Sequence, residues 1–280
     1  MRRFLVMMTA VFGLSSPPLV AEEPAAADPP VCAACEAVME LALADPRRTD
    51  DRARDAYRHP AATLAFFRVV PGMTVVDYAP SGGWWTRILV PYLGKDGHYI
   101  GLNPDVRQGD EQQKRYFGGL GAAFPAKAAE WTGVPASRIA AYNADDVPAA
   151  RNGTVDRVLM FRMLHNLQRM GLLDAELATI HRLLKPDGLL GIEQHRAKAD
   201  APDAYVDGSK GYLRQADVIR RVEAQGFKLV AASEINANAA DSADYPEGVW
   251  ELPPSLRTKR EELKAIGESD RMTLLFRKTS

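Results

Sequence analysis

Along residues 73–276, short apolar runs alternate with stretches whose apolar side chains recur every three or four positions. The first pattern predicts strands, and the second predicts helices that pack along one face. Strands are expected at 73–78, 98–102, 137–142, 155–161, 189–193, 227–232 and 272–276. Helices are expected at 84–93, 173–184 and 212–224. Lys185-Pro186-Asp187-Gly188 and Gly226 are the stop signals of the last two. A longer helical stretch, 108–131, is interrupted near Gly118, Gly119, Gly121 and Pro125. Upstream, helices are expected at 31–43, at 51–58 behind an Asp50 N-cap, and at 60–67. Seven strands alternating with helices describe an α/β fold around a mostly parallel sheet. The last pair is the exception. Residues 236–267 are polar and dotted with proline, with a short helix expected at 254–265. A connection without a crossover helix suits an antiparallel last strand.

The N-terminus follows a different pattern. Arg2 and Arg3 precede an apolar run over 4–14, Ser15-Ser16-Pro17-Pro18 ends it, and Leu19-Val20-Ala21 offers a cleavage site. That order is a secretory signal peptide's, and the run falls short of the roughly 20 residues a spanning helix needs. Residues 22–30 are rich in Ala, Pro and acid and read as linker. The expected organisation is a signal peptide at 1–21, a linker with a short segment at 22–50, and one domain at 51–280. The expected location is periplasmic or secreted, with no membrane span after cleavage.

Charge narrows the partners. The chain has 35 Lys and Arg against 36 Asp and Glu, a net −1. Without a basic excess to neutralise phosphates, nucleic acid is not expected as the main partner, and a small molecule is. Oligomeric state is left open. The only cysteines, Cys32 and Cys35, make a Cys-Ala-Ala-Cys that reads either as a local disulfide or as a redox pair in an oxidising compartment. Glu36 stands where haem attachment needs histidine, and no second pair completes a zinc site, so no metal is expected.

Candidate chemistry concentrates after the first strand. A buried strand ends near Asp77, small residues follow (Ala79-Pro80-Ser81-Gly82-Gly83), and a helix begins at once. Small residues let the backbone turn tightly and approach a ligand, with helix N–H groups aimed at the loop. Ligands of open α/β sheets bind beyond the carboxyl ends of the strands. A dinucleotide loop needs G-x-G-x-x-G. Here only Gly82 and Gly83 are present, so an oxidoreductase using a nucleotide cofactor is disfavoured.

Five segments in order resemble the motifs of class I S-adenosylmethionine-dependent methyltransferases. They are the 75–86 loop region, Tyr99-Ile100-Gly101-Leu102-Asn103, Tyr142-Asn143-Ala144-Asp145, the 156–167 segment around Met160-Phe161-Arg162, and Leu184-Lys185-Pro186-Asp187-Gly188. Within that superfamily the chain is most similar to predicted, often exported bacterial methyltransferases. Their shared features match Arg58-His59-Pro60, the Pro80–Thr86 loop (P-x-G-G-W-[WY]-T) and Gln194-His195-Arg196. The resemblance implies a Rossmann-like seven-stranded sheet with S-adenosyl-L-methionine as cofactor. It departs from the pattern at Ala79 and Ser81, which replace glycines, and at Asn103, which replaces the ribose-binding acid.

On that resemblance, Ala79, Ser81, Gly82 and Gly83 lie against the methionine part, and Asp77 serves its ammonium side. Asn103 meets the ribose, Asn143 and Ala144 the adenine, and Met160 and Phe161 form the floor under the methyl group. His195 is the candidate base, since an ordinary histidine pKa of about 6.5 suits proton acceptance near neutrality. His165 is either a second base or a packing group, and Glu193 orients one of the histidines. Arg196, Tyr212 and Arg214 are either an anion site for the substrate or surface ion pairs. Trp84 and Trp85 pack the first helix or wall the pocket. Asn236, Asn238 and Trp250 belong to a stretch placed to cap the pocket. Methyl transfer to a small molecule is the leading expectation. The alternative is an exported, non-catalytic ligand-binding protein on the same fold, because the cofactor is made in the cytoplasm and the loop departs from the motif.

Overall fold

The computed structural model describes residues 33–279. The expected signal segment and Cys32 lie outside the described residues. The chain opens with α1 (Ala33–Ala44), α2 (Asp55–Arg58) and α3 (Pro60–Phe66). The sheet region then runs β1 (Thr74–Tyr78), α4 (Thr86–Leu93), β2 (His98–Asn103), α5 (Glu111–Phe117), α6 (Leu120–Thr132) and β3 (Ile139–Asn143). It continues with β4 (Val155–Phe161), α7 (Leu164–Met170), α8 (Leu173–Leu183), β5 (Leu184–His195), α9 (Gln215–Glu223), β6 (Phe227–Ser233) and β7 (Arg271–Lys278). Cys35, in α1, is disulfide-bonded. No helix among the described residues is long and apolar enough to cross a membrane.

The seven strands form one sheet in the order β3-β2-β1-β4-β5-β7-β6. All neighbours are parallel except the β5–β7 and β7–β6 pairs, which are antiparallel. Alternation along each strand sends side chains to two cores. Val76, Val158 and Met160 join Leu177, Ile180 and Val218 on one face. Val75, Leu159 and Phe161 join Ile88, Leu89 and Phe124 on the other. Each fully buried aliphatic side chain contributes about 2 kcal/mol, so a sheet covered on both faces is the rigid part of the molecule.

Four local features differ from expectation. Met39 and Ala42 of α1 are buried in the second core, so the folded unit starts before residue 51. The break in 108–131 falls at Gly118-Gly119, where Gly119 takes φ 69°, and α6 continues through Pro125. Residues 212–214 are extended beside β5, with a Leu213 N–H to His195 carbonyl bond of 3.1 Å, so α9 starts only at Gln215. The 236–270 segment carries two 3-10 turns, Gly248–Glu251 and Glu261–Ile266, in place of a helix.

The strand order reverses between β1 and β4, and such a switch point opens a crevice beyond the carboxyl ends. Because β7 is antiparallel, its amino end lies at that same edge. His195 at the end of β5 pairs with Arg271 at the start of β7.

Candidate functional site

A cleft of about 450 Å³ lies at this edge. Loop 79–82, Asp77 and Phe161 line it, as do His165 and His195. Trp250 and Pro253–Ser255 line it from the 236–270 segment. Trp85 stacks on Phe161 at 4.0 Å and 14°, and Trp84 meets Trp85 edge-on at 4.8 Å. The two tryptophans are therefore both buried packing and cleft wall. Met160 points into the opposite core, as strand alternation requires of Phe161's neighbour.

The loop follows the path glycines would take. Ala79 has φ 56°, Ser81 φ 48° and Gly83 φ 74°. A left-handed non-glycine residue costs about 1–2 kcal/mol, so Ala79 and Ser81 hold strained backbone where the resemblance expects glycine. An Ala-to-Gly change on ordinary helical backbone loses about 0.5–1 kcal/mol. Here relief of strain offsets that loss. Ala79→Gly and Ser81→Gly are expected to be neutral or to stabilise by up to about 1 kcal/mol each in urea unfolding. A loss above about 1 kcal/mol would contradict the backbone assignment.

Asp77 is buried at the end of β1 and receives hydrogen bonds from Tyr99 Oη at 2.8 Å and Thr86 Oγ1 at 3.3 Å. Burial raises its carboxyl pKa to about 7 against those two donors. A cationic group entering the cleft would draw the pKa down again.

The residues expected at ribose and adenine are placed otherwise. The Asn103 amide donates to the Phe117 carbonyl at 2.8 Å. The Asn143 amide donates to the same carbonyl at 2.8 Å and to that of Pro104 at 3.0 Å, and its oxygen accepts the Leu120 N–H at 3.1 Å. Ala144 N–H bonds the Asn103 carbonyl at 2.9 Å. Together they tie the α5–α6 junction over the ends of β2 and β3, and Tyr116 and Phe117 line that end of the cleft in their place. An amide in the position of the usual acid makes this possible, because only the amide donates to a carbonyl.

His195 Nδ1 shares a 2.5 Å hydrogen bond with Ser269 Oγ. Its pKa is pushed well below the ordinary value by burial, then by His165 and the arginines 162, 271 and 58. His165 lies 5.7 Å away between ring centroids and bonds the Gln194 amide, and burial lowers its pKa to about 4. Both imidazoles therefore stay neutral near pH 7, but they are weaker bases than the ordinary histidine expected here, because burial and the neighbouring cations penalise the protonated form.

Beside them lies a buried ion cluster. Glu268 accepts from Arg54 Nε at 2.6 Å, Arg271 Nη1 at 3.1 Å and Arg58 Nε at 3.3 Å, with Arg162 Nη1 3.8 Å away. Burial opposes its ionisation, but Arg58, Arg271, Arg54 and Arg162 overcome that and hold the carboxyl down to about 2. Glu193 pairs with Arg271 Nη1 at 2.9 Å, so it neutralises an arginine and does not orient a histidine. Arg58 Nη1 and Arg162 Nε are buried without a hydrogen-bond partner. Each such donor costs about 1–3 kcal/mol.

The expected substrate trio is dispersed. Arg196 is paired with Glu234 at 2.6 Å and Asp270 at 2.9 Å. Arg214 is paired with Asp203 and Asp217, and Tyr212 donates to Asp241 at 3.0 Å. None of the three lines the cleft. Carboxylates already satisfy both arginines, and the extended 212–214 segment turns Tyr212 toward Asp241. Asn236 and Asn238 anchor the capping segment and do not face the cleft. Asn236 bonds Thr63 and Thr273, and Asn238 bonds the carbonyls of Ile266 and Glu268. Trp250 does cap the cleft, edge-on to His165 at 6.0 Å. Sequence reasoning missed Arg54, Glu268 and Ser269. An available signal was that Glu268 and Ser269 directly precede an antiparallel last strand, which brings them to the carboxyl edge.

No protein-family model matches the sequence, and no curated protein matches it. Solved structures match its fold. The [4+2]-cyclase SpnF aligns at TM-score 0.55 and 14% identity over 88% of this chain and 96% of that one. A putative sarcosine dimethylglycine methyltransferase from Galdieria sulphuraria aligns at 0.51 and 14% over 82% and 86%. A SAM-dependent methyltransferase from Aquifex aeolicus aligns at 0.48 and 17% over 72% and 93%. The fold is that of the class I S-adenosylmethionine-dependent methyltransferases. It hosts a cyclase as well, so the fold by itself does not define the reaction.

Proposed function

We propose that the chain binds S-adenosyl-L-methionine and methylates a small molecule in the 450 Å³ cleft. The observation that carries this reading is the loop after β1. It holds Ala79 and Ser81 left-handed at the switch point, directly after the cleft-lining Asp77. Backbone strain kept at a ligand-facing turn is what a fixed cradle requires. The residues fit the amino-acid end of the cofactor: the 79–82 backbone, the Asp77 carboxyl for an ammonium group, and the Trp85–Phe161 stack as floor, while Gly83, expected in the same cradle, is turned against Trp131 and does not line the cleft. At the nucleoside end, Tyr116 and Phe117 take the places expected for Asn103, Asn143 and Ala144.

The cofactor, when bound, supplies an activated methyl group. The protein's own part is to position the acceptor and take its proton. His195 lines the cleft and is held by Ser269, so on position it is the residue assigned to receive that proton, as a base weaker than a free imidazole. Radiolabelled methyl transfer from the cofactor to a panel of small acids and phenols tests the reading. The wild type is expected to transfer label, and His195→Gln to turn over about 100-fold more slowly with unchanged cofactor affinity. No transfer to any acceptor would count against methyl transfer, and a fully active His195→Gln would remove that residue from the role.

One observation favours a second reading. The Asn103 and Asn143 amides are spent on the Phe117 carbonyl, which leaves the nucleoside end without its usual contacts. An exported binding protein on this fold would show that departure. Export itself is proposed from residues 1–21, as is placement within the family of exported methyltransferases from its P-x-G-G-W-W-T loop.

A further inference from the structure

We propose that the acceptor carries a carboxylate or phosphate, and that Arg58 and Arg162 receive it. The proposal rests on the methyl-transfer reading only for calling the ligand an acceptor. The anion site stands on the ion cluster itself.

Charge comes first. Four guanidiniums, of Arg54, Arg58, Arg162 and Arg271, share two carboxylates, of Glu193 and Glu268. The nearby acids are engaged elsewhere. Asp55 holds Arg48 at 2.7 Å, and Asp51 holds Arg87 at 2.5 Å and 2.8 Å. Asp77, bound by the Tyr99 and Thr86 hydroxyls, forms no ion pair with the four arginines. The cluster therefore carries two positive charges in excess at a partly desolvated surface, where a charge draws a counter-ion strongly.

Unsatisfied donors come second. Arg58 is 1% exposed, and its Nη1 has no partner. Arg162 Nε has none either. Both residues line the cleft. Planar guanidiniums match carboxylate and phosphate oxygens in fixed geometry. Rigidity comes third. Arg58 lies over the Trp84 ring at 4.5 Å. Arg162 has φ 56° and gives its backbone N–H to the Glu193 carbonyl at 2.6 Å. The Arg58 guanidinium, held between Trp84 and Glu268, loses little freedom when an anion arrives, and the fixed Arg162 backbone sets where its side chain starts. Arg162 also follows Phe161 directly, so a group bound there lies next to the floor and the two histidines. The chemistry expected of Arg196 and Arg214 is thus supplied by other arginines.

The same donors would accept the carboxylate of the cofactor, and the experiment separates the two sources. Inorganic phosphate is titrated at constant ionic strength, with melting temperature and the Arg Nε–H NMR resonances as readouts. S-adenosylhomocysteine affinity is measured separately without phosphate. The expected result is a saturable rise of a few degrees in the wild type. The Arg162 Nε–H resonance should move, and the rise should be lost in Arg162→Gln and Arg58→Gln. S-adenosylhomocysteine affinity in Arg162→Gln should stay within about threefold of wild type, against the roughly tenfold or greater change a lost charge contact brings. Three results overturn the proposal: no rise beyond that given by chloride, a still Arg162 resonance, or a tenfold loss of S-adenosylhomocysteine affinity in Arg162→Gln. The last would assign the cations to the cofactor's own carboxylate. Failure of S-adenosylhomocysteine to bind the wild type would strike the methyl-transfer reading and leave the anion site standing.

Discussion

Replacing Glu268 with glutamine is expected to destabilise the protein by about 3 kcal/mol, a fall of roughly 6–12 °C in melting temperature. Glutamine keeps the volume and an acceptor oxygen but removes the charge. Glu268 is 5% exposed and touches four arginines, two of which, Arg58 and Arg271, are as deeply buried. Without it Glu193 alone would face four cations, two of them buried, and uncompensated buried charge is far costlier than a lost surface pair. The double variant Glu268→Gln/Arg58→Met, which also removes one cation, is expected to recover part of the loss. A single-variant loss below about 1 kcal/mol would mean that the arginines do not depend on Glu268.

Gly83→Ala is expected to cost about 2–4 kcal/mol, summed from overpacking and left-handed strain. A Cβ at Gly83 would lie 2.3 Å from the Trp131 ring, at a φ of 74°. That ring has the Arg87 guanidinium over it at 5.5 Å, so it cannot swing away without disturbing the Arg87–Asp51 pair. Gly82→Ala is the control. A Cβ there meets nothing within 4 Å, and its cost is expected below about 0.5 kcal/mol. Equal losses at the two glycines, read by urea unfolding, would contradict the loop geometry.

The sheet was legible because its information is local and periodic. Each strand carries its own apolar run, and the polar 236–267 stretch announced the antiparallel end. The loop after β1 was legible as a ligand turn, but not its strain. Alanine and serine are neutral letters until their φ is known. The site's charge was not legible. Arg54 and Arg58, Arg162 and Glu193, and Glu268 and Arg271 come from three distant parts of the chain, and only sheet order brings them together. Arg196 and Arg214 looked like anion binders because their partners, Asp270 and Glu234, Asp203 and Asp217, are matched to them by the fold and not by spacing. Asn103 was legible as a departure. What it does instead depends on Phe117, fourteen residues away.

The central claim is that the cleft under loop 79–83 receives S-adenosylmethionine with Asp77 beside its ammonium group. Titration calorimetry with S-adenosylhomocysteine across about pH 5 to 8 tests it most directly. Free Asp77 holds its proton up to about pH 7. An ammonium partner lowers that pKa, so binding below pH 7 must release a proton. Affinity should be flat above about pH 7, fall by up to about tenfold per unit below it, and carry matching proton release. Absence of binding at about millimolar ligand, or binding with no proton release at pH 6, would contradict the account.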